Sequence, residues 1–279
     1  MESPPESPAV RIRIVLVGTQ HPGNIGSAAR AMKTMGLSRL VLVAPETMPN
    51  AESQALAAGA DDVLAGARVV PNLDEAVADC RLVLGCTARS RRVPLEEFAP
   101  RAAAARAVAA AAGGAEVALV FGRERTGLDN AELQLCHAAV HIPADPGYSS
   151  LNLAAAVQVL AYETRLALLE AGDATRAGDA TGEARDAPPA THAQLEGFFG
   201  QLADTLDAID FHKGRAPESA LRKLRRLYLR AAPTAAEVRL LRGVLADAQR
   251  MARLAAEAGS GEPDPGGRKA AVREPPELR

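Results

Sequence analysis

The chain has 279 residues and a mass of 29.0 kDa, room for one or two domains at about 100–200 residues each. It carries 32 basic and 34 acidic side chains, a formal net charge of −2, which excludes a basic coat over the whole surface but not a local basic patch. Three Tyr, five Phe and no Trp exclude a broad aromatic platform for stacking single-stranded bases, and the Ala-rich remainder points to helix packed on sheet.

In chain order, residues 1–10 hold three prolines and little apolar content, and read as a disordered lead. They lack the basic and apolar regions of a signal peptide. From Arg11 the pattern changes. Short β-rich runs occur at Ile12–Val17, Leu40–Val43, Leu82–Leu84, Val117–Phe121 and Val140–Ile142. Helical stretches lie between them. One covers Ser27–Met35 and ends at Gly36, and a second opens at Asn72 with Glu75 as a capping box. This alternation predicts an α/β domain with a parallel sheet covered on both faces. An amphipathic helix is predicted from Leu151 to Glu170, stopping before Gly172, with Leu153, Val157, Leu160, Leu166 and Leu169 on one side.

Residues 171–190 read as a polar linker of low complexity. A helical module of two or three helices is predicted over about 191–256, opened by the Thr191/Gln194 box and continued after a Thr234/Glu237 box. Its first stripe is Leu195, Phe198, Phe199, Leu202, Leu206 and Ile209. The Gly/Pro/charge-rich stretch 257–279 reads as a disordered tail. Cys80, Cys86 and Cys136 cannot close a disulfide framework and show no Cys-x-x-Cys spacing, so a reducing compartment and no structural zinc are expected. No apolar run reaches about 18 uncharged residues, the length a membrane-spanning helix needs. The expectation is a soluble cytoplasmic protein.

Three segments carry chemistry, each following a predicted strand. The first is Gly18 to Arg30, where glycines and a helix N-terminus offer backbone N–H groups to an anion. It is no P-loop, because Asn24-Ile25 stands where Lys-Ser/Thr is required, and it lacks Gly-x-Gly-x-x-Gly, which argues against a Rossmann-type nucleotide enzyme. The second is Phe121-Gly122-Arg123-Glu124-Arg125-Thr126-Gly127, in which Glu124 lies between two arginines it is placed to orient, or else forms a solvated ion-pair cluster with them. The third runs from Ile142-Pro143 to Tyr148-Ser149-Ser150-Leu151-Asn152, where capping of the next helix explains one polar residue but not three in succession. No Gly-x-Ser-x-Gly or His-Glu-x-x-His occurs, and the five histidines lack ligand spacing. Any chemistry therefore falls to main chain, Arg, Ser and Asn. Farther along, Lys213, Arg215, Arg222, Lys223, Arg225, Arg226 and Arg230 face one acid, Glu218, while Leu221, Leu224 and Tyr228 form the apolar stripe of the same helix. That density in an otherwise acidic chain favours contact with a phosphate backbone, with Arg89, Arg91 and Arg92 extending the surface.

Taken in order, Asn24-x-Gly26-x-x-x-Arg30, Gly122-x-Glu124-x-x-Gly127 and Ile142-Pro143…Ser149-Ser150-Leu151-Asn152 resemble the three motifs of the SPOUT-superfamily RNA 2′-O-ribose methyltransferases. The segments Ala29–Leu37, Val120–Arg125 and Tyr148–Ala154 are similar to the TrmJ family of bacterial tRNA methyltransferases, and the likeness continues through Lys223–Leu227. The resemblance implies a SPOUT fold with a trefoil knot, S-adenosylmethionine as cofactor, and a homodimer whose sites are each completed by the partner. It implies methylation of the 2′-hydroxyl of a pyrimidine at nucleotide 32 of the tRNA anticodon loop. Carried onto this chain, the cofactor-contacting residues are Cys86, Thr87, Ala88, Gly122, Ile142, Ser149, Ser150 and Leu151. Cys86-Thr87 stands where relatives often carry Thr-Ser, so the main-chain contact is the one expected to persist. Arg30, Ser150 and Asn152 match the catalytic positions, and Asn24, Arg91, Arg123, Arg222, Lys223, Arg225 and Arg226 are the RNA-contacting candidates.

A sulfonium methyl is already activated, so positioning dominates the expected mechanism. A guanidinium stays charged at neutral pH, so Arg30 is expected to orient the ribose and stabilise developing alkoxide charge while a phosphate oxygen or other group takes the proton. The competing class is a SPOUT-like dimer that grips RNA without methylating it.

Overall fold

The computed structural model describes residues 7–88, 95–177, 187–214 and 216–259. Within the stretch read as a disordered lead, Pro8–Arg11 forms a 3-10 turn capped by Ser7, with Ala9 buried against the core. Seven strands follow: β1 (Ile12–Val17), β2 (Arg39–Val43), β3 (Arg68–Val70), β4 (Leu82–Cys86), β5 (Glu97–Phe98), β6 (Val117–Phe121) and β7 (Ala138–Val140). They form one sheet in the order β3-β2-β1-β6-β4-β7-β5, and every pairing is parallel. Parallel sheets need helical crossovers, which cover both faces and exclude water from the strands.

The period-2 alternation of β1 shows the result. Ile12, Ile14 and Leu16 enter the larger apolar cluster, with α1 (Pro22–Thr34), α5 (Pro100–Ala112) and α7 (Leu153–Ala177). Val15 and Val17 enter the second cluster on the other face, with α4 (Leu73–Val77) and with Leu133 of α6 (Asn130–Gln134). Two further helices, α2 (Ala51–Ala57) and α3 (Asp61–Ala65), lie between β2 and β3 in the chain.

Arg13 breaks the apolar pattern of β1. Its guanidinium is buried at the N-terminal end of the sheet, donating to Asp79 (2.6 and 2.7 Å), Glu116 (2.7 Å) and the carbonyl of Ala76 (2.9 Å). Burial opposes its charge, but these acceptors outweigh that penalty and raise its pKa further.

Three elements differ from expectation. The last predicted strand ends at Val140, and Ile142 has already left the sheet. α1 starts at Pro22, five residues ahead of Ser27, because Pro is tolerated in the first turn. α7 runs past Gly172 to Ala177, into the segment read as linker. An interior glycine costs a helix only about 1 kcal/mol relative to Ala, too little to end one packed on α1 and α5.

The C-terminal region forms α8 (His192–Ala208), α9 (Pro217–Ala231) and α10 (Ala235–Gly259). Both capping boxes predicted for this region are present, Thr191 with Gln194 and Thr234 with Glu237, whereas at Asn72 only half of the predicted box forms, its side chain accepting from the Glu75 N–H (2.9 Å). Leu195, Phe198, Leu202 and Leu206 build a small core with Leu229 and Val238, and Phe198 meets Tyr228 edge-on at 4.8 Å. Ile209 is half exposed, just beyond the end of α8. The module is fastened to the sheet domain by backbone bonds from His192 to Cys80 (2.8 Å) and Ala193 to Ala78 (3.0 Å).

Candidate active site

The C-terminal ends of β4, β6 and β7 lie side by side, with Cys86 in register with both Phe121 and Val140. Loops leave there together, the usual ligand position of an open α/β sheet. They enclose a cavity of about 460 Å³. Its walls include Cys86, Thr87, Ala88, Gly122, Ile142, Ser149, Ser150 and Leu151, every residue expected to contact the cofactor. Leu153 and Ala156 of α7 form an apolar wall not foreseen from the motifs.

The loop 122–127 is folded tightly on itself. A Cβ on Gly122 would come within 2.1 Å of the Gly127 carbonyl carbon and the Leu128 nitrogen, so only glycine fits there. The Cys86 thiol at the end of β4 is pushed up to about 12 by burial, so it is a neutral wall and no nucleophile. Next to β4, His137 accepts the Val83 N–H through Nδ1 (3.1 Å), and burial drives its pKa down to about 3.

A polar relay joins the three motifs. The Glu124 carboxylate accepts from the Gln20 N–H (3.0 Å), the His21 N–H (3.2 Å) and Asn24 Nδ2 (2.8 Å). Asn24 Oδ1 in turn accepts from Asn152 Nδ2 (3.0 Å). Asn152 Oδ1 accepts the N–H groups of Ala154 (2.9 Å) and Ala155 (3.3 Å), capping α7. Burial acts to raise the Glu124 pKa, but the bonds from Asn24, Gln20 and His21 outweigh it and hold the carboxyl below its usual range.

This relay changes several roles. Glu124 does not orient its neighbouring arginines; it binds the donors at the start of α1, so those N–H groups are not open to an external anion. Gly23 and Gly26 seat a helix, not a ligand: a Cβ on Gly26 would lie 2.1 Å from the Ser53 carbonyl oxygen of α2. Asn24 has both ends of its amide bound inside the relay and holds the loops in place. Arg123 lines the cavity but is bound to Glu132 by two bonds (3.0 and 3.1 Å). Ser150 is exposed at the cavity edge. Arg30 is exposed on α1 and does not line the cavity; it lies about 12 Å along the axis from Pro22 at 1.5 Å per residue. Its side chain has no hydrogen bond or ion pair among the described residues. Arg89, Arg91 and Arg92, and Arg215 of the basic stretch, lie outside the described residues.

The profile of the SpoU rRNA Methylase family matches residues 11–162, and that of the tRNA methyltransferase TrmJ C-terminal domain matches residues 193–257. The tRNA (cytidine/uridine-2′-O-)-methyltransferase TrmJ of Citrobacter koseri is 52% identical over 235 residues, covering 84% of this chain and 95% of that protein. The chain belongs to the TrmJ family. The enzyme of the same description from Escherichia coli strain K12 is also 52% identical over 235 residues, with 94% of its length covered. The crystal structure of TrmJ from Z. mobilis ZM4 superposes with a TM-score of 0.70 at 36% identity, over 84% of this chain and 97% of that one. A probable methylase family protein from Haemophilus influenzae Rd KW20 gives a TM-score of 0.55 at 41% identity, over 88% and 99%.

In this TrmJ-family chain the basic helix α9 divides into two sets. Arg222, Lys223 and Arg226 are exposed, as expected. Arg225 is not: it forms a bidentate ion pair with Glu196 of α8, donates through Nε to the Gln134 carbonyl of α6 (2.9 Å) and lies 4.5 Å from the Phe199 ring centroid. A guanidinium with those partners docks the module on the sheet domain and is removed from the RNA-contacting set. Among the described residues there is no group of three or more His, Cys, Asp or Glu placed to hold a metal, and no helix long and apolar enough to cross a membrane.

Proposed function

We propose that this chain is a cytoplasmic S-adenosylmethionine-dependent tRNA methyltransferase acting on the ribose 2′-hydroxyl of cytidine or uridine at nucleotide 32 of the anticodon loop. The observation that carries the reading is the convergence of three strand ends on one cavity, tied to the first motif by the Glu124–Asn24–Asn152 relay. At about 460 Å³ the cavity falls in the small-molecule range of about 300–1,000 Å³. Its glycine, alanine and serine edges expose main chain for hydrogen bonding to an adenine, and Phe121, Ile142, Leu151 and Leu153 supply apolar wall, so these residues fit the cofactor. When bound, that cofactor supplies an activated methyl on a sulfonium.

The chain's own residues do the rest. Gly122 keeps the loop closed around the cavity, and Asn152 fixes the start of α7 beneath Ser149–Leu151. Arg30 orients the ribose and its phosphate and stabilises the oxygen as it loses its proton. Its position away from the cavity of its own protomer supports a homodimer in which each site is completed by the partner. We place a trefoil-knotted methyltransferase domain over about 11–170, joined through 171–190 to a tRNA-contacting module over 191–256, with a lead at 1–10 and a tail at 257–279. Lys223, Arg226 and Arg222 are the phosphate contacts assigned to that module, and Arg91 is kept as an RNA-contacting candidate on its sequence position alone.

Mapping ribose methylation by mass spectrometry, in tRNA from a strain lacking the gene and from the complemented strain, tests this. Loss and return of one 2′-O-methylpyrimidine at nucleotide 32 is expected. An unchanged methylation map overturns the reading, and a change at another nucleotide overturns the assigned position.

A further inference from the structure

Helix α10 has two apolar faces. Val238, Leu241 and Leu245 pack into the module core with α8. Leu240, Val244, Met251 and Leu254 are 69%, 61%, 57% and 48% exposed. With the exposed Asp247, they recur at alternating spacings of four and three residues. That is the 3.5-residue repeat of a coiled-coil seam, with Val and Met at one core position and Leu at the other. A globular helix needs one apolar stripe toward its core; this one carries a second with nothing on it among the described residues.

We propose that this seam packs against the same seam of a second copy of the chain, antiparallel, as a two-fold helix pair. The position of Asp247 selects the orientation. Parallel pairing in register sets Asp247 against the partner's Asp247 at the centre of the seam, like charge on like charge. Antiparallel pairing with Val244 facing the partner's Leu254 covers Val244, Met251 and Leu254 and brings Leu240 opposite the last turn of α10; moving one copy by a heptad strands Leu240 and Val244, or sets Leu254 against the exposed Glu237. In the full alignment Met251 is level with the partner's Asp247. Arg250 flanks the seam there and already contacts Asp247 of its own helix at 3.3 Å. The two Asp247–Arg250 pairs then meet about the axis with opposite charges adjacent. Such a contact is isologous, the same patch meeting itself. A nucleic-acid strand would meet apolar side chains and a carboxylate on this face, the wrong chemistry for phosphate.

Four apolar side chains per copy bury less than the ~1,200 Å² of a stand-alone interface. The contact is therefore weak by itself and distinct from the dimer assigned to the methyltransferase domain. Covalent trapping in the full chain reads it. The V244C/L254C double variant with a short bis-maleimide is expected to give cross-linked dimer on a denaturing gel. V244C alone is expected to give none, since the partner's position 244 lies about 15 Å away along the axis. Wild type supplies the background from its own cysteines, of which Cys80 and Cys136 are buried. Adding Met251→Glu to the double variant is expected to slow trapping at least tenfold, with the circular dichroism spectrum unchanged because the side chain is exposed. No cross-link in the double variant, cross-linking by V244C alone, or trapping indifferent to Met251→Glu each overturns the proposal. Light scattering gives the mass of wild type: a dimer without α10 trapping removes the helix pairing and leaves the domain dimer standing.

Discussion

The sheet domain and the C-terminal module use the same residue types in opposite ways. In the sheet domain polar groups are fixed: Glu124, Asn24 and Asn152 form a relay, Arg13 is enclosed by carboxylates, and Arg123 is bound to Glu132. In the module most charge is left outward on α9, and α10 carries apolar side chains into water. A reaction governed by positioning needs preorganised groups, whereas a surface that meets a large polyanion or another helix needs exposed ones. Arg225 is the informative exception, a member of the basic stretch that behaves like a sheet-domain arginine.

The largest expected effect tests the fixed half at its base. Arg13→Met leaves Asp79 and Glu116 without their buried partner and is expected to cost about 3 kcal/mol in chemical denaturation. A cost near zero would mean that this charge cluster holds nothing. Next, Gly122→Ala forces the 122–127 loop open and is expected to weaken binding of S-adenosylhomocysteine by more than about 100-fold in calorimetry, about 2.7 kcal/mol, without comparable loss of tRNA affinity.

Acid titration, read between pH 6.5 and 5 where the loss reaches about 2 kcal/mol, comes third. The folded pKa of His137 is about 3 against an ordinary 6.5, so below pH 6.5 the unfolded chain takes up a proton that the folded one refuses. Stability is full above pH 6.5 and falls by about 1.4 kcal/mol per pH unit toward pH 3 from this residue. Burial lowers the pKa of His192 too, which adds the same sign. His137→Gln, which keeps an acceptor for the Val83 N–H, is expected to flatten the fall in urea-midpoint measurements across that range.

The smallest effects separate two adjacent arginines. Arg226→Gln is expected to lower tRNA affinity a few-fold and reduce the slope of log affinity against log salt by about 1. Arg225→Gln is expected to leave that salt slope nearly intact while loosening the module, read as faster amide exchange at α6 and α8. Equal salt slopes for the two variants would mean that both arginines meet phosphate.

Local pattern revealed much of the architecture. β1 and β6 end where their β-branched runs end, and the capping boxes at Thr191 and Thr234 stand where their spacing put them. The residues that the family resemblance singles out for the cofactor all line the cavity. What stayed hidden depends on distant partners or weak local signal. β3 exposes two of its three residues and β5 has only two, so neither shows a buried run. α5 is mostly alanine, with too little contrast between faces to stand out. Nothing near Arg13 announces that Asp79 and Glu116, 66 and 103 positions away, will enclose it. Glu124 lay in a recognised motif, yet its true partners are about 100 residues upstream. Charge alone groups Arg225 with its neighbours, while Glu196 and Gln134 decide its role.

Methyl transfer to tRNA is the decisive measurement. Unmodified tRNA is incubated with the folded full-length chain and S-adenosylmethionine carrying a labelled methyl. The predicted result is one label per tRNA, recovered as a 2′-O-methylated pyrimidine and abolished by Arg30→Ala. Folded protein that binds the tRNA and transfers no label would contradict it and leave a non-catalytic RNA-binding dimer.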